Sequence, residues 1–471
     1  MKEYDWVVIG SGSALSVVDA LLRKDPSLRV AVIDKDAPGG ICLTRGCIPS
    51  KILLASADVA RTVERARAFG VEVPKARVHF DEVMARMHRL IDGEIDAIRE
   101  GLSHAPGIDY YPQAAEFVAP KTLRVGSQTI RGRRILLGAG SRPRIPPIPG
   151  LVESGFLTSD TVLSLTRMPS RLAILGGGYI AAEYTHFFSA MGCEVTVIGR
   201  NPSFLPREDP EVSSLVAKSL GTRARLLLGH EVTEIRRSRG QRTLRISPRH
   251  GDHPVDLSVE EILVATGRTS LSDLLHPERA GIDTDGEGWI RVNEFLETSQ
   301  PDVWALGDAT GHALFKHRAN HDASVLAHNL LSGTRHPVDY HAIPHAVFTE
   351  PEVGSVGLTE PEARNLLGPE HLLVGRYEYR HTAKGEALGV EVGMVKVIVE
   401  RETLSLRGAH VVGPEASVLV QELVNLMYTP GQTVRPILDA MYIHPALSEV
   451  VQRAVLSLRP LEGTPSHSRP P

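Results

Sequence analysis

The sequence predicts an α/β protein built on two parallel-sheet units of the doubly wound kind, followed by a separate C-terminal region. Three stretches carry that expectation. An apolar strand runs into a glycine turn and a helix-like pattern at Tyr4–Leu22, the same order returns at Arg171–Arg200, and a late apolar strand ends in Gly307-Asp308. Strands that alternate with helical segments across short glycine turns are the pattern of parallel βαβ units.

The first stretch, YDWVVIGSGSALSVVDALL, is followed by a second strand, RVAVID, ending in Asp34. Gly10 and Gly12 suit a dinucleotide: they let the backbone approach a pyrophosphate, the helix start favours the anion, and an acid about 20 residues on accepts ribose hydroxyls. The third glycine of that fingerprint is replaced by Leu15, which predicts a displaced helix or a shifted register. The second stretch, RLAILGGGYIAAEYTHFFSAMGCEVTVIGR, repeats the pattern with Gly176, Gly178 and Ala181. Its second strand ends in Gly199-Arg200, with no acid. A carboxylate there would bond the 2′-hydroxyl of NAD, whereas Arg200, with Arg207 nearby, suits the 2′-phosphate of NADP.

The third stretch, TSQPDVWALGDATG, places Gly307 and Asp308 where an acid can bond the sugar alcohol of a flavin. Two more strand-then-glycine segments, RRILLGAGSRP with Gly140 and EILVATGRTS with Gly267, bracket the second unit. They read as crossing points at which the chain leaves one domain and re-enters it. The expected organisation is a first nucleotide domain at 1–147 and 269–340, a second inserted at 148–268, and a C-terminal domain at 341–458. The tail, 459–471, is rich in proline, serine and glycine and is expected to be disordered.

The 471 residues suffice for about three domains. A content of 42% hydrophobic and 23% charged residues is that of a globular protein, and a net charge of -4 offers no field for a phosphate backbone, so no nucleic-acid partner is expected. The sequence holds no apolar run near the roughly 20 residues that span a bilayer, and MKEYDWVVIG lacks the long apolar core of a signal peptide. No membrane association and a cytoplasmic location are expected. Three cysteines make no disulfide scaffold.

Two of those cysteines, Cys42 and Cys47, stand in GGICLTRGCIPSK, and neither metal, nor structural disulfide, nor redox chemistry is obvious from the pair alone. A structural metal needs about four ligands, and no second cysteine pair supplies them. Five residues of regular helix rise about 7.5 Å, while a disulfide wants Cα atoms about 4.4–6.8 Å apart. Bonding therefore requires a distorted turn at a helix start, with Gly46 supplying freedom and Pro49 tolerated in the first helical turn. A helix start also lowers a thiol's pKa. Cys193, in AMGCEVTV, reads as a small buried hydrophobe, and His317 and His321 as a polar helix face.

GGICLTRGCIPSK resembles the redox-active disulfide signature of the class I pyridine nucleotide-disulfide oxidoreductases, the family of glutathione reductase, dihydrolipoyl dehydrogenase, mycothione reductase and mercuric reductase. The resemblance runs through GGGYIAAE, ATGR, TSQPDVWALGD, PHAVFTEPEVGSVGLTEPEA and HPALSE, in family order. Ile41, Thr44 and Leu15 depart from it. It implies FAD- and NAD(P)-binding domains, a C-terminal α+β dimerisation domain, and a Cys42–Cys47 disulfide passing electrons between a nicotinamide and a small disulfide or dithiol. It also implies roles. Cys47 meets the flavin, Cys42 meets substrate, and His444, oriented by Glu449, serves as acid-base from the other subunit of a homodimer, so that a monomer should be inactive. Lys51, paired with Glu183, stands near the flavin, Tyr179 covers it until the nicotinamide arrives, and Asp34 and Asp308 hold its sugar hydroxyls.

The subfamily rests on smaller signals. A mercuric reductase would carry a C-terminal cysteine pair, which is missing here, and a non-catalytic flavoprotein would have lost a reacting group. Ala181 and Gly199-Arg200 resemble the NADPH-using reductases, and HALFKHRANHDASVLAHNLL and IHPALSEVVQRA resemble the mycothione reductases. The expectation is an NADPH-dependent reductase of a low-molecular-weight disulfide, with an NAD-using dihydrolipoyl dehydrogenase as the alternative.

Overall fold

The computed structural model describes residues 1–74, 77–238, 240–251 and 253–461. Strand β1 (Lys2–Ile9) is buried without a break from Trp6 to Ile9, because both of its faces are covered. Helix α1 (Ala14–Lys24) carries the chain to the parallel neighbour β2 (Val30–Ile33). A short helix α2 (Gly40–Thr44) and two long ones, α3 (Cys47–Arg65) and α4 (Phe80–His104), follow. Along α4 the buried residues Phe80, Met84, Met87, Ile91 and Ile95 recur at helical spacing and give it one apolar stripe. Strands β3 (Ile108–Tyr111), β4 (Ala115–Ala119), β5 (Thr122–Val125) and β6 (Gln128–Leu137) complete a sheet ordered β3-β2-β1-β6-β5-β4.

After β7 (Ser141–Pro143) and the single-turn α5 (Leu151–Ser154), the chain builds a second parallel sheet. Its parts are β8 (Leu157–Thr158), β9 (Arg171–Leu175), α6 (Tyr179–Ala190), β10 (Glu194–Gly199), α7 (Pro210–Leu220) and β11 (Arg225–Leu228). An antiparallel meander, β12 (His230–Ser238), β13 (Gln241–Pro248) and β14 (Val255–Val259), precedes β15 (Glu261–Val264), which closes the order β11-β10-β9-β15-β8. Strand β16 (Arg268–Ser270) pairs antiparallel with β7, so the two glycine segments read as crossing points do lie side by side. The chain then returns β17 (Val303–Ala305) to the first sheet beside β6 and lays α8 (Lys316–Leu331) against α1.

The last sheet collects β18 (His345–Val347), β19 (Val353–Gly357), β20 (Leu372–Glu378), β21 (Met394–Glu400), β22 (Leu406–Val412) and β23 (Arg459–Pro460) in antiparallel order β18-β19-β22-β21-β20-β23. Between its strands run α9 (Glu360–Leu367), α10 (Ala383–Ala387), α11 (Ala416–Met427), α12 (Arg435–Asp439) and α13 (Glu449–Leu456). One apolar core joins Leu53 of α3 and Phe80 and Met87 of α4 to Phe187 and Phe188 of α6. The helix that starts at Cys47 is thereby fastened to the second unit.

Two expectations differ from the structure. Leu15 is not the residue that approaches Gly138 most closely. The tight helix-sheet approach falls one residue earlier, at buried Ala14, so that a Cβ on Gly138 would lie 3.0 Å from the Ala14 methyl, while Leu15 packs partly buried beside it. The tail is ordered where it begins: Arg459 and Pro460 pair with Val374 and Leu373, and Leu461 N donates to Leu372 O. Residues 462–471 lie outside the described residues.

Candidate active site

A cleft of about 2120 Å³ runs between the two parallel-sheet units and is lined by both glycine turns and by Cys42 and Cys47. Gly10 has φ +97°, and a Cβ there would sit 2.1 Å from Gly138 O; Gly176 has φ +130°, and its Cβ would sit 2.2 Å from Ala265 O. Only glycine fits where each turn passes over the end of the neighbouring strand. Gly12, Gly178, Gly140, Gly267 and Gly307 also line the cleft, which leaves bare backbone along both walls. A long dinucleotide such as FAD fits that cradle. Asp34 Oδ2 accepts from Ser11 N at 2.8 Å and Ser11 Oγ at 2.5 Å, so its carboxylate also shapes the first turn. Asp308 Oδ2 accepts from Ser141 Oγ at 2.6 Å. Both acids face the cleft.

The cysteine pair sits where the chain breaks between two helices. Cys42 belongs to α2 and Cys47 is the first residue of α3, with Arg45 and Gly46 leaving helical geometry between them. The five-residue spacing is thus folded back on itself instead of rising along one helix axis. Pro49 stands in the first turn of α3, and Ser50 N makes the bond to Gly46 O at 3.2 Å that closes this turn. As free thiols the two sulfurs differ in acidity. Its hydrogen bond to Cys47, then burial, push the Cys42 thiol far above its ordinary range. The same hydrogen bond, with help from the positive Lys51 and against burial, draws the Cys47 thiol down to about 7. The start of a 19-residue helix adds its positive end at Cys47.

Lys51, one turn further along α3, meets Glu183 of α6 with its Nζ 2.8 Å from both carboxylate oxygens. Phe348, absent from the residues singled out in the sequence, completes the contact: its N donates to Glu183 Oε1 at 3.2 Å and its ring lies 4.6 Å from Lys51 Nζ. Tyr179 opens α6 at the cleft wall, stacked on His345 with ring centroids 5.4 Å apart and on Phe315 at 6.1 Å. His317, expected on a polar helix face, stacks on Phe315 at 5.3 Å and donates to Pro344 O at 2.7 Å. Arg200 and Arg207 are exposed and line the cleft beside the second glycine turn; among the described residues neither forms an ion pair. Cys193 is buried.

His444 and Glu449 lie elsewhere. His444 Nδ1 is 3.0 Å from Glu449 Oε1, and because a carboxylate only accepts, Nδ1 donates. Glu449 Oε2 accepts from Ala446 N at 3.1 Å, and the hydrogen bond from His444 is the main cause holding the Glu449 carboxyl below its ordinary range. The His444 side chain is 70% exposed and does not line the cleft that holds the cysteines. Its neighbours Met441 and Ile443 are 98% and 79% exposed, a bare apolar surface around an oriented histidine. Among the described residues no helix is long and apolar enough to cross a membrane.

Comparison with known proteins agrees with this architecture. Residues 4–328 match the model of the pyridine nucleotide-disulphide oxidoreductases, and residues 343–455 match the dimerisation domain of that family. A mycothione reductase of Mycobacterium tuberculosis is 36% identical over 98% of this chain and 100% of its own length. A dihydrolipoyl dehydrogenase of Chlamydia pneumoniae is 34% identical over 95% of each chain. The copper(II) complex of the HOCl-induced flavoprotein disulfide reductase RclA from Escherichia coli superposes with a TM-score of 0.86 at 28% identity, covering 97% of this chain and 99% of that one. With two glycine turns lining one cleft, a paired-cysteine helix start between them and both family models matched in chain order, the chain belongs to the pyridine nucleotide-disulphide oxidoreductases, FAD-dependent enzymes that move electrons between NAD(P)H and a disulfide.

Proposed function

We propose that the protein is a homodimeric, cytoplasmic, NADPH-dependent reductase of a low-molecular-weight disulfide, of mycothione or glutathione type. The observation that carries the reading is the Cys42–Cys47 pair poised at a helix break inside the nucleotide cleft, with Cys47 the more acidic thiol. In this reading residues 1–147 with 269–340 bind FAD, 148–268 bind the nicotinamide nucleotide, and 341–458 form the dimer. Held by the bare backbone at Gly10 and Gly12 and by Asp34 and Asp308, FAD would supply two-electron transfer between the nicotinamide and the cysteine disulfide.

The chain's own groups do the rest. Cys42, deprotonated by His444 of the partner subunit, attacks one sulfur of the substrate and forms a mixed disulfide. The departing thiolate takes the proton from that histidine. The Cys47 thiolate then attacks the Cys42 sulfur, releases the second thiol and restores the Cys42–Cys47 disulfide, so that NADPH, a proton and one disulfide give NADP+ and two thiols. Glu449, held charged, fixes the His444 ring through Nδ1 and leaves Nε2 to face sulfur. Lys51 and Glu183 supply a fixed ion pair beside the reacting end of the cleft. Arg200 and Arg207, without acidic partners among the described residues, support binding of a 2′-phosphate.

An NAD-using dihydrolipoyl dehydrogenase is the second reading, favoured by the 34% identity to the Chlamydia pneumoniae enzyme. Initial rates decide between them. NADPH oxidation with a panel of oxidised small thiols is compared with NAD+ reduction by dihydrolipoamide. Faster turnover in the second assay, or a strong preference for NADH in the first, would refute the proposal. Arg200→Ala should raise the KM for NADPH about tenfold to a hundredfold and hardly move that for NADH, since a hydrogen bond to a charged group contributes about 1.5–3 kcal/mol.

A further inference from the structure

Behind Tyr179 lies a polar arrangement that the proposed chemistry does not use. Glu208, on the loop between β10 and α7, has a side chain with no exposed surface. Its Oε1 accepts from His345 Nε2 at 2.6 Å and its Oε2 from Ser355 Oγ at 2.8 Å. Burial opposes its charge, yet the hydrogen bond from His345 leads the effects that hold the carboxyl below its ordinary range. A buried carboxylate is costly to keep unless it is paired and hydrogen-bonded, and His345 and Ser355 do both for Glu208.

What it holds is an aromatic wall. The His345 ring lies parallel to Phe315 at 5.8 Å and 3°, and Tyr179 stacks on both, at 5.4 and 6.1 Å. Burial, and after it the charge of nearby Glu208, raise the pKa of the Tyr179 phenol. The carboxylate therefore fixes the His345 ring on which Tyr179 stacks. Arg207, proposed to meet the nucleotide phosphate, is the neighbouring residue.

We propose that His345 and Glu208 form a latch that holds Tyr179 closed over the flavin side of the cleft, so that nicotinamide entry must pull Tyr179 off the His345 ring. His345 and Glu208 are positioning residues here, and the inference rests on the proposed reading of Tyr179 as a movable cover. A ligand that needs the open arrangement binds more weakly by the fraction of molecules already open. Loosening the latch should then tighten binding of a whole dinucleotide and leave unchanged a fragment too short to displace Tyr179.

The test is equilibrium calorimetry on the FAD-loaded protein with NADP+ and with 2′,5′-ADP, which has no nicotinamide, repeated with NAD+ and ADP. His345→Ala and Glu208→Gln should each tighten NADP+ threefold or more at unchanged 2′,5′-ADP affinity, and the double variant should gain no more than the better single one. The fragment and the flavin content report whether each variant is folded. Tyr179→Ala separates the two ideas. If it leaves NADP+ affinity unchanged, Tyr179 is not a cover and the underlying reading falls. If it tightens NADP+ while the His345 and Glu208 variants do not, the latch alone is overturned. Weaker NADP+ binding in His345→Ala, with the fragment unaffected, overturns the latch in favour of His345 as a nicotinamide contact.

Discussion

The Cys42–Cys47 corner and the His444–Glu449 corner differ in how much of their surroundings one chain supplies. The cysteines stand inside the cleft, with Lys51, Glu183 and Phe348 at hand and a helix start beneath Cys47. The histidine is equally well oriented by its carboxylate, yet 70% exposed, off the cleft, and set among bare Met441 and Ile443. One corner is built from sequence neighbours and a packed core, and it is complete within a protomer. The other presents its histidine among bare apolar residues, the arrangement expected if, as proposed, a two-fold interface carries the site.

That contrast can be broken at either corner. The largest effect is expected for Cys42→Ser, which should lower disulfide turnover about 10⁴-fold or more while NADPH still reduces the flavin in stopped-flow traces. His444→Ala should lower turnover about 10²- to 10⁴-fold, again with flavin reduction intact. Mixing these two variants after dissociation sharpens the comparison: equal amounts should regain about a quarter of wild-type activity, because half the dimers then hold one intact shared site. No recovery in verified mixed dimers would mean that each corner serves its own chain.

Glu449→Gln comes next, with a loss of about tenfold to a hundredfold from a poorly oriented His444 ring. The smallest change is spectroscopic. Ultraviolet thiolate absorbance of the reduced protein should titrate with a midpoint near 7, the value to which Cys47 is lowered. Because the shift is downward, the thiolate is present above that pH and is lost as pH falls through it. Cys42→Ala should move the midpoint up further than Lys51→Ala, since the hydrogen bond from Cys42 is the larger cause. A midpoint near that of an ordinary thiol would remove the electrostatic account of this corner.

Much of this was legible in the chain because it depends on local stereochemistry. Gly10 and Gly176 stand out in sequence, and both turn out to pass within reach of a carbonyl that no Cβ could face. The spacing of Cys42 and Cys47 called for a distortion, and the break at Arg45-Gly46 supplies it. The close approach expected at position 15 is made at Ala14, whose methyl would lie 3.0 Å from a Cβ on Gly138. The tail was read as disordered to its start because composition does not reveal that β20 leaves an edge for Arg459 and Pro460.

Phe348, Glu208 and His345 were not singled out at all. They acquire meaning only beside partners at positions 51, 179, 183 and 355, and no periodicity or motif spans such distances. Reaction type was legible in the linear chain only through the resemblance of short stretches, GGICLTRGCIPSK and HPALSE among them, to a known family, because the reacting atoms sit at short spacing within each stretch. Which groups pack around Tyr179, and that His444 stands exposed off the cleft, follow from how distant segments pack, because burial and contact are properties of the assembled fold and not of neighbouring residues.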